Sequence, residues 1–546
     1  MFNRRNFLKS AAITGGAVAA TPIHALASRQ QTSAGFFGLH QFIENNPEAV
    51  FIMRTDVNDY MNGGEKTTAG LEFARSVFVP KSEGVPLTHL IPIKPNARFE
   101  NGWKVNTVAH KGSTNQVQGY KGTDAFFVEG VIEAMKELGL SADQFFLREV
   151  NLTWGTKSDD YPEMAERTGV ELRAMIDKVG LIDENDLVWV DTPDGVWYRK
   201  IPYLWPVNAT DTFLVNIAKM KSHSMGLTLS AKNLQGCIAH NYQAHCTAYT
   251  GSMDMHWSHM NPEAKKVIYE NYLRHKAEGV PRWDKAGDNT WNSGIGMETW
   301  GSRCLDNNAA TPCGLHIIES IYGVDGHFYN GPHTENGLEV NNSKGVSWEY
   351  PMDYVIFGQN AFNCDIIGHW LGGHEAGNVG LFHMAIDRGL STYLNPRDIP
   401  LYEWKDGQAV QVNLESFEQT DLLTYSMQRD YKGQTEDYWH LMNEPYDYAP
   451  VSVEDNDTPK AMVLHQNRPN PFNPNTSIEF SIPKAGNTRL EVYNASGQLM
   501  EVLADGWYGA GSHMVNWNTS GRSSGVYFYR FRHGGLTETK KMTLLK

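Results

Sequence analysis

The strongest constraint on the fold is an alternation of short apolar runs with longer stretches of helical spacing. Ala49-Val50-Phe51-Ile52-Met53 reads as a strand, Ala69 to Val79 has helical spacing, and Leu87 to Ile93 reads as a second strand running into Lys94-Pro95-Asn96. Gly122 to Gly139 follows as an amphipathic helix, with Phe126, Phe127, Val131, Ile132, Met135 and Leu138 at its apolar positions and Thr123 or Asp124 placed to cap it. Phe145 to Val150 is a strand, Tyr161 to Val179 a helix and Leu187 to Val190 a strand. Such alternation predicts an α/β domain built on a largely parallel sheet.

The run Phe213-Leu214-Val215 with Ile217 predicts a buried strand, and Lys219, Lys221, His223, Thr228, Lys232 and Asn233 follow it at once. In open α/β sheets the ligand crevice lies at that end of a strand. The chain carries a net charge of −15, yet no Asp or Glu occurs from Thr212 to Met253. Lysines grouped without local carboxylates suit a bound anion such as phosphate or carboxylate, and they equally suit a solvated basic loop. The acidic balance argues against a general nucleic-acid binder, and no apolar run has membrane-spanning length.

The spacing D, apolar strand, K-x-K-x-H, T-x-x-x-K-N-x-x-G is carried by Asp211, Lys219, Lys221, His223, Thr228, Lys232, Asn233 and Gly236. It resembles the signature of the family catalogued as domain of unknown function 362, and the resemblance extends to Lys94-Pro95-Asn96 upstream and to Leu315 through Leu390 downstream. On the residues themselves, Lys94, Asn96, Lys219, Lys221, Thr228 and Asn233 are candidate ligand-binding groups. His223 and Lys232 are candidate catalytic groups, with His223 able to transfer a proton near neutral pH. Asp325, after the strand predicted from Leu315 to Gly323, is a candidate general base or metal ligand. No G-x-S-x-G, P-loop or G-x-G-x-x-G motif is present, which removes the commonest hydrolase, nucleotide and dinucleotide readings.

Between Gly251 and Cys304 the pattern becomes polar and rich in tryptophan, which predicts an insertion able to act as a lid or substrate wall over the basic crevice. Tyr354 to Gly358 is predicted as a strand, and Asp365 to Leu371 and Val379 to Arg388 as helices. His240, His245 and Cys246, with Cys237, His256 and His259 nearby, could hold a transition metal, although their spacing fits no standard zinc pattern. His369, His374, Glu375 and His383 form a further group, for which a structural role is expected. Of the five cysteines, Cys304 and Cys313 bracket a turn-rich LDNNAATP stretch and are expected to form a disulfide. Cys237 and Cys246, nine positions apart, suit either a second bridge or the metal site, and Cys364 is expected as a buried thiol. The absence of a C-x-x-C-x-x-C run argues against a ferredoxin-type iron–sulfur cluster.

The two ends of the chain concern destination. Residues 1–27 contain Arg4-Arg5-Asn6-Phe7-Leu8-Lys9, a mildly apolar stretch and Ala25-Leu26-Ala27, and resemble a twin-arginine signal peptide, which implies the twin-arginine translocase as a partner. Residues 28–444 are expected to form the α/β core, 445–461 an acidic, proline-containing linker, and 462–546 a small β-sandwich of immunoglobulin type. Within the last of these, the NPFNP opening, the VYNASGQ turn, the GVYFYRF strand and the KKMTLLK segment resemble the C-terminal sorting domain of the type IX secretion system. That resemblance implies passage through the periplasm to the cell surface or medium and handling by the type IX machinery. Three functions stay open on sequence alone: an exported protein, with or without enzymatic activity, holding an anionic small molecule in a crevice of lysine, histidine and asparagine; a non-catalytic surface ligand-binding protein; and a metal-dependent oxidoreductase.

Overall fold

The computed structural model describes residues 35–60, 62–96, 108–110, 122–149, 161–174, 184–223, 226–239, 259–281, 294–325, 347–420, 445–448, 462–483, 486–508 and 511–545. The chain divides into two compact units, up to Tyr448 and from Ala449 onward.

The first unit is organised on an 11-stranded sheet. Its main strands are β1 (Val50–Arg54), β2 (Ile91–Pro95), β3 (Phe145–Glu149), β4 (Glu171–Ala174), β5 (Val215–His223), β6 (Leu315–Asp325), β7 (Ser347–Gly358), β8 (Leu401–Lys405) and β9 (Gln408–Gln411). They lie in the order β9-β8-β1-β7-β6-β5-β2-β3-β4. Pairing is parallel from β6 through β5, β2 and β3 to β4 and again between β8 and β1, whereas β7 runs antiparallel to both its neighbours. The sheet is therefore mostly parallel, as the alternating sequence predicts.

Helices cover both faces because consecutive strand residues point in opposite directions and both sets are apolar. Phe51, Ile93, Val215, Ile217 and Ile317 face a core shared with α1 (Gly63–Val77), α2 (Ala125–Glu137) and α3 (Tyr161–Thr168). Val50, Ile52, Ala218, Met220, Ile318 and Ile356 face a second core. That core includes residues of α4 (Ser230–Asn233), α5 (Ala264–Ala277), α6 (Gly294–Ala310), α7 (Ala361–Leu371) and α8 (Gly380–Asp387). Helices α1 and α2 meet at two glycines. A Cβ on Gly70 would lie 2.2 Å from the Phe127 carbonyl oxygen, and one on Gly130 2.1 Å from that of Thr67, so the backbones pack directly against each other.

Three expectations need correction. The helix predicted from Tyr161 to Val179 ends at Thr168, where Gly169 takes a left-handed φ of 73° and the chain turns into β4. The stretch expected as a turn-rich loop after Cys304 is the second half of α6, and both Cys304 and Cys313 are free thiols. The far end of the tryptophan-rich segment is also part of the core: α6 is buried from Gly294 to Asn307 and Trp300 is 2% exposed. Trp257, Trp283 and Trp291 lie outside the described residues.

In the second unit, Val463–Leu464, Asn475–Ile482 and Gly511–Asn518 form one antiparallel sheet. Leu499–Tyr508, Gly486–Asn494, Gly525–His533 and Leu536–Leu544 form another. Ile478, Phe480, Leu490, Val492, Trp517, Tyr529 and Phe531 of the two sheets share one core, the arrangement of a β-sandwich. The expected turn at Asn494 forms: Gly497 has a φ of 79° and donates to the Asn494 carbonyl at 3.0 Å.

Candidate functional site

The signature segments meet because β2 and β5 are adjacent and parallel. Val215, Asn216 and Ile217 stand opposite Ile93, Lys94 and Pro95, so β2 stops while β5 continues to His223. Connections diverge at this pair: the chain leaves β2 towards β3 and β4, and leaves β5 towards β6 on the other side. Such a topological switch point is where open α/β sheets place their ligand crevices.

Lys94 is fully buried. Its ammonium is ion-paired with Glu149 at the end of β3, and it donates to Pro95 O at 2.7 Å and to Asn233 Oδ1 at 3.0 Å. Asn233 is the hub of an amide network. Its Oδ1 also accepts from Asn96 Nδ2 at 3.2 Å, and its Nδ2 donates to Lys94 O at 3.0 Å and to Asn216 Oδ1 at 2.8 Å. Asn216 Nδ2 in turn lies 3.0 Å from His316 Nδ1. Lys94, Asn96 and Asn233 are thus brought into direct contact, although 139 positions separate Lys94 from Asn233.

Lys219 is fully buried too, with Nζ 2.8 Å from both carboxylate oxygens of Glu319, its register partner on β6. The β5–β6 register shifts just beyond this pair, and the ring of Tyr322 lies against the ammonium, 3.3 Å from Nζ to the ring centroid. Burial pushes the Glu319 carboxyl above its ordinary range, with the Lys219 charge opposing it and nearby Asp124 adding to it. Asp124 caps α2 by accepting from Phe126 N, pairs with Lys66 of α1, and donates its backbone N–H to Glu319 at 3.2 Å.

The premise that these lysines lack carboxylates therefore holds only along the sequence. Glu149 and Glu319 reach Lys94 and Lys219 from neighbouring strands, and neither was singled out. A detectable signal existed: Glu319 interrupts the apolar run Leu315-His316-Ile317-Ile318, and a charge inside a strand buried on both faces needs a partner.

Lys221 is 6% exposed and pairs in register with Thr228 of the short strand Gly226–Thr228, antiparallel to β5, while Lys232 is half-buried on α4. The hydroxyl of Thr228 and the Oδ1 of Asn96 are buried without a hydrogen-bond partner among the described residues. The first N–H groups of α4 are taken by the protein itself. Asp365 of α7 accepts from Ser230 N at 2.7 Å and Ala231 N at 3.0 Å, and burial pushes its carboxyl up to about 8 against the pull of those bonds. The backbone places His223 and Asp325 at the carboxyl ends of β5 and β6.

The remaining candidates lie elsewhere. His240, His245, Cys246 and His256 are outside the described residues. His259 is buried with its ring stacked on Tyr198, and burial pushes the Cys237 thiol up to about 12, far from thiolate chemistry at neutral pH. His369 Nδ1 lies 2.8 Å from Asp365 O, His383 Nε2 lies 2.8 Å from Gly377 O, and Glu375 accepts from Tyr448 at 2.9 Å. His374 is buried with its ring 6.5 Å from that of His369.

His316 makes the network's behaviour measurable. Burial lowers its pKa to about 4, and Asn216 Nδ2, a donor, faces a ring nitrogen that must accept. The unfolded imidazole protonates near its ordinary value of about 6.5. The folded state therefore binds fewer protons below that value: the contribution is fully present above about 6.5 and is lost as pH falls towards about 4. Wild type is expected to lose stability over this window at up to about 1.4 kcal/mol per pH unit more than a His316→Gln variant. Denaturant titrations at several pH values test it, and parallel pH profiles of the two proteins would refute it.

Residues 104–369 match the family model described as Domain of unknown function (DUF362). The match takes in β5, Lys219 through Asn233, Glu149, Glu319 and Asp365, and begins after Lys94 and Asn96. Residues 468–544 match the model described as Secretion system C-terminal sorting domain. No curated protein matches the chain. The sorting domain marks the chain for export by the type IX secretion machinery, to the cell surface or the medium, and among the described residues no helix is long and apolar enough to cross a membrane. The chain thus carries a stretch that matches the DUF362 model over residues 104–369, followed by a type IX secretion sorting domain over residues 468–544.

Proposed function

We propose that the DUF362 domain binds a small anionic molecule in the crevice at the carboxyl ends of β2 and β5. The observation that carries this reading is the convergence of two distant signature segments, Lys94 to Asn96 and Lys219 to Asn233, at the sheet's topological switch point. Lys94 and Lys219 are committed to Glu149 and Glu319 and serve as fixed framework. Lys221 and Lys232, near the same strand ends, add positive charge that an anion would meet. The Thr228 hydroxyl supplies a donor for an anion, and Asn96 Oδ1 an acceptor for a hydroxyl or N–H on the same ligand. His223 and Asp325, at the ends of adjacent strands, are the groups through which such a site would move a proton, which is what separates an enzyme from a capture protein.

The route outward on this reading has two stages. Residues 1–27 act as a twin-arginine signal to the periplasm, and the sorting domain acts from there.

Calorimetric titration with pyrophosphate and with citrate tests the site. Lys221→Ala and Lys232→Ala are each expected to weaken binding by about tenfold or more, the equivalent of about 1.4 kcal/mol. His223→Ala is expected to leave affinity within about threefold, because its role lies in proton transfer. If neither anion binds the wild-type protein, or both lysine variants bind as well as wild type, the reading fails.

A further inference from the structure

Away from the crevice, α5, α6 and α8 converge on one histidine. His275, in the last turn of α5, is 2% exposed. Its Nδ1 lies 2.6 Å from Oε2 of Glu298, a fully buried residue of α6, and its Nε2 lies 3.2 Å from Asp387 Oδ2 at the end of α8. Glu278, three residues beyond His275, adds a further carboxylate, and one ligand atom from each of His275, Glu278 and Asp387 fits within 4.8 Å of the others. The Arg274 guanidinium sits among them. Its Nη1 is 3.1 Å from Glu278 Oε2 and 3.1 Å from Asp387 Oδ2, and its Nη2 is 2.7 Å from His275 Nε2.

A carboxylate only accepts, so Nδ1 donates to Glu298, while Nε2 lies between the Arg274 guanidinium and the Asp387 carboxylate. A buried carboxylate behind one ring nitrogen, with the other nitrogen turned towards further carboxylates, is the arrangement that supports metal-bound histidines. The charges agree. Three carboxylates, from Glu298, Glu278 and Asp387, face His275 and the single Arg274 guanidinium, an excess of negative charge that favours a bound cation.

We propose that His275 Nε2, Asp387 and Glu278 form a surface site for a divalent first-row metal ion of the zinc class. Glu298 is a positioning residue that holds the imidazole, and Arg274 is the cation that partly offsets the carboxylates when no metal is bound. The imidazole selects against calcium and magnesium, and three protein ligands plus one water complete a tetrahedral shell. Arg274 is 47% exposed at its side chain, so it can swing into solvent as the metal enters.

The test is calorimetric titration of the chelator-treated full chain with zinc. Arg274→Ala removes the competing cation and is expected to tighten this site by about tenfold or more. Asp387→Asn and Glu278→Gln are expected to lose one zinc equivalent. Both positions are largely exposed, at 43% and 49%, so these variants keep the fold, which circular dichroism verifies. The chain has 20 histidines, so zinc uptake alone decides nothing. The proposal is overturned if all three variants match wild type in stoichiometry and affinity, or if neither wild type nor Arg274→Ala takes up zinc.

Discussion

Replacing Glu319 with alanine is expected to destabilise the α/β unit by about 3–5 kcal/mol, the usual cost of stranding a buried charge. Lys219 is fully buried, with Tyr322 against its ammonium and both Glu319 oxygens at 2.8 Å. Without the carboxylate, the ammonium must lose its proton or draw water into the sheet. The double replacement Lys219→Met with Glu319→Leu is expected to recover most of the loss, since apolar groups of similar volume remove both desolvation penalties. Chemical denaturation followed by the helical circular dichroism signal reports this unit, because the described residues of the sorting unit are strands and loops. A loss below about 1 kcal/mol for Glu319→Ala would mean that Lys219 is neutral or hydrated in the native state.

Deleting residues 449–546 is expected to leave the first unit folded while abolishing its appearance at the cell surface or in the medium. The division of the chain after Tyr448 and the separate core of the sandwich, from Leu464 to Leu544, support independent folding. The sorting-domain match supports the loss of destination. Cell fractionation with circular dichroism of the truncated protein reads both halves of the prediction. Normal surface amounts of the truncated chain would reassign the sandwich as a binding or adhesion module. Surface loss with an unfolded core would instead show that the two units depend on each other.

The parts of this fold legible in the sequence were those set by local pattern. Val50 to Arg54, Phe145 to Glu149, Val215 to His223 and α2 with its Asp124 cap follow directly from apolar periodicity and capping chemistry. The shared signature grouped Lys94, Asn96 and Asn233 but did not show that they touch, since Lys94 lies within β2 and Asn233 on α4. What escaped was set by pairing across the sheet. Lys219 meets Glu319 only because β5 and β6 align in one register, and nothing near Lys219 announces it. The same limit produced the error over Cys304: LDNNAATP contains turn-forming residues, yet bonds to Trp197, Tyr198 and Arg388 keep that stretch helical to Ala310. Asp306 shows how. It accepts from the backbone N–H groups of Trp197 and Tyr198 at 2.7 and 3.0 Å and pairs with Arg388, so a residue with turn propensity is held in a helix by tertiary bonds.

The contact of Gly70 with Gly130 bears on how the crevice can move. Where side chains separate two helices, rotamer changes let one slide over the other; here main chain rests on main chain, and no such slack exists. Lys66 adds a second tie by reaching from α1 to Asp124, the residue that begins α2 and touches Glu319 at the crevice floor. The two helices and the floor beneath them therefore behave as one rigid anvil. On the proposed reading, any adjustment to a ligand therefore falls to side chains outside this block.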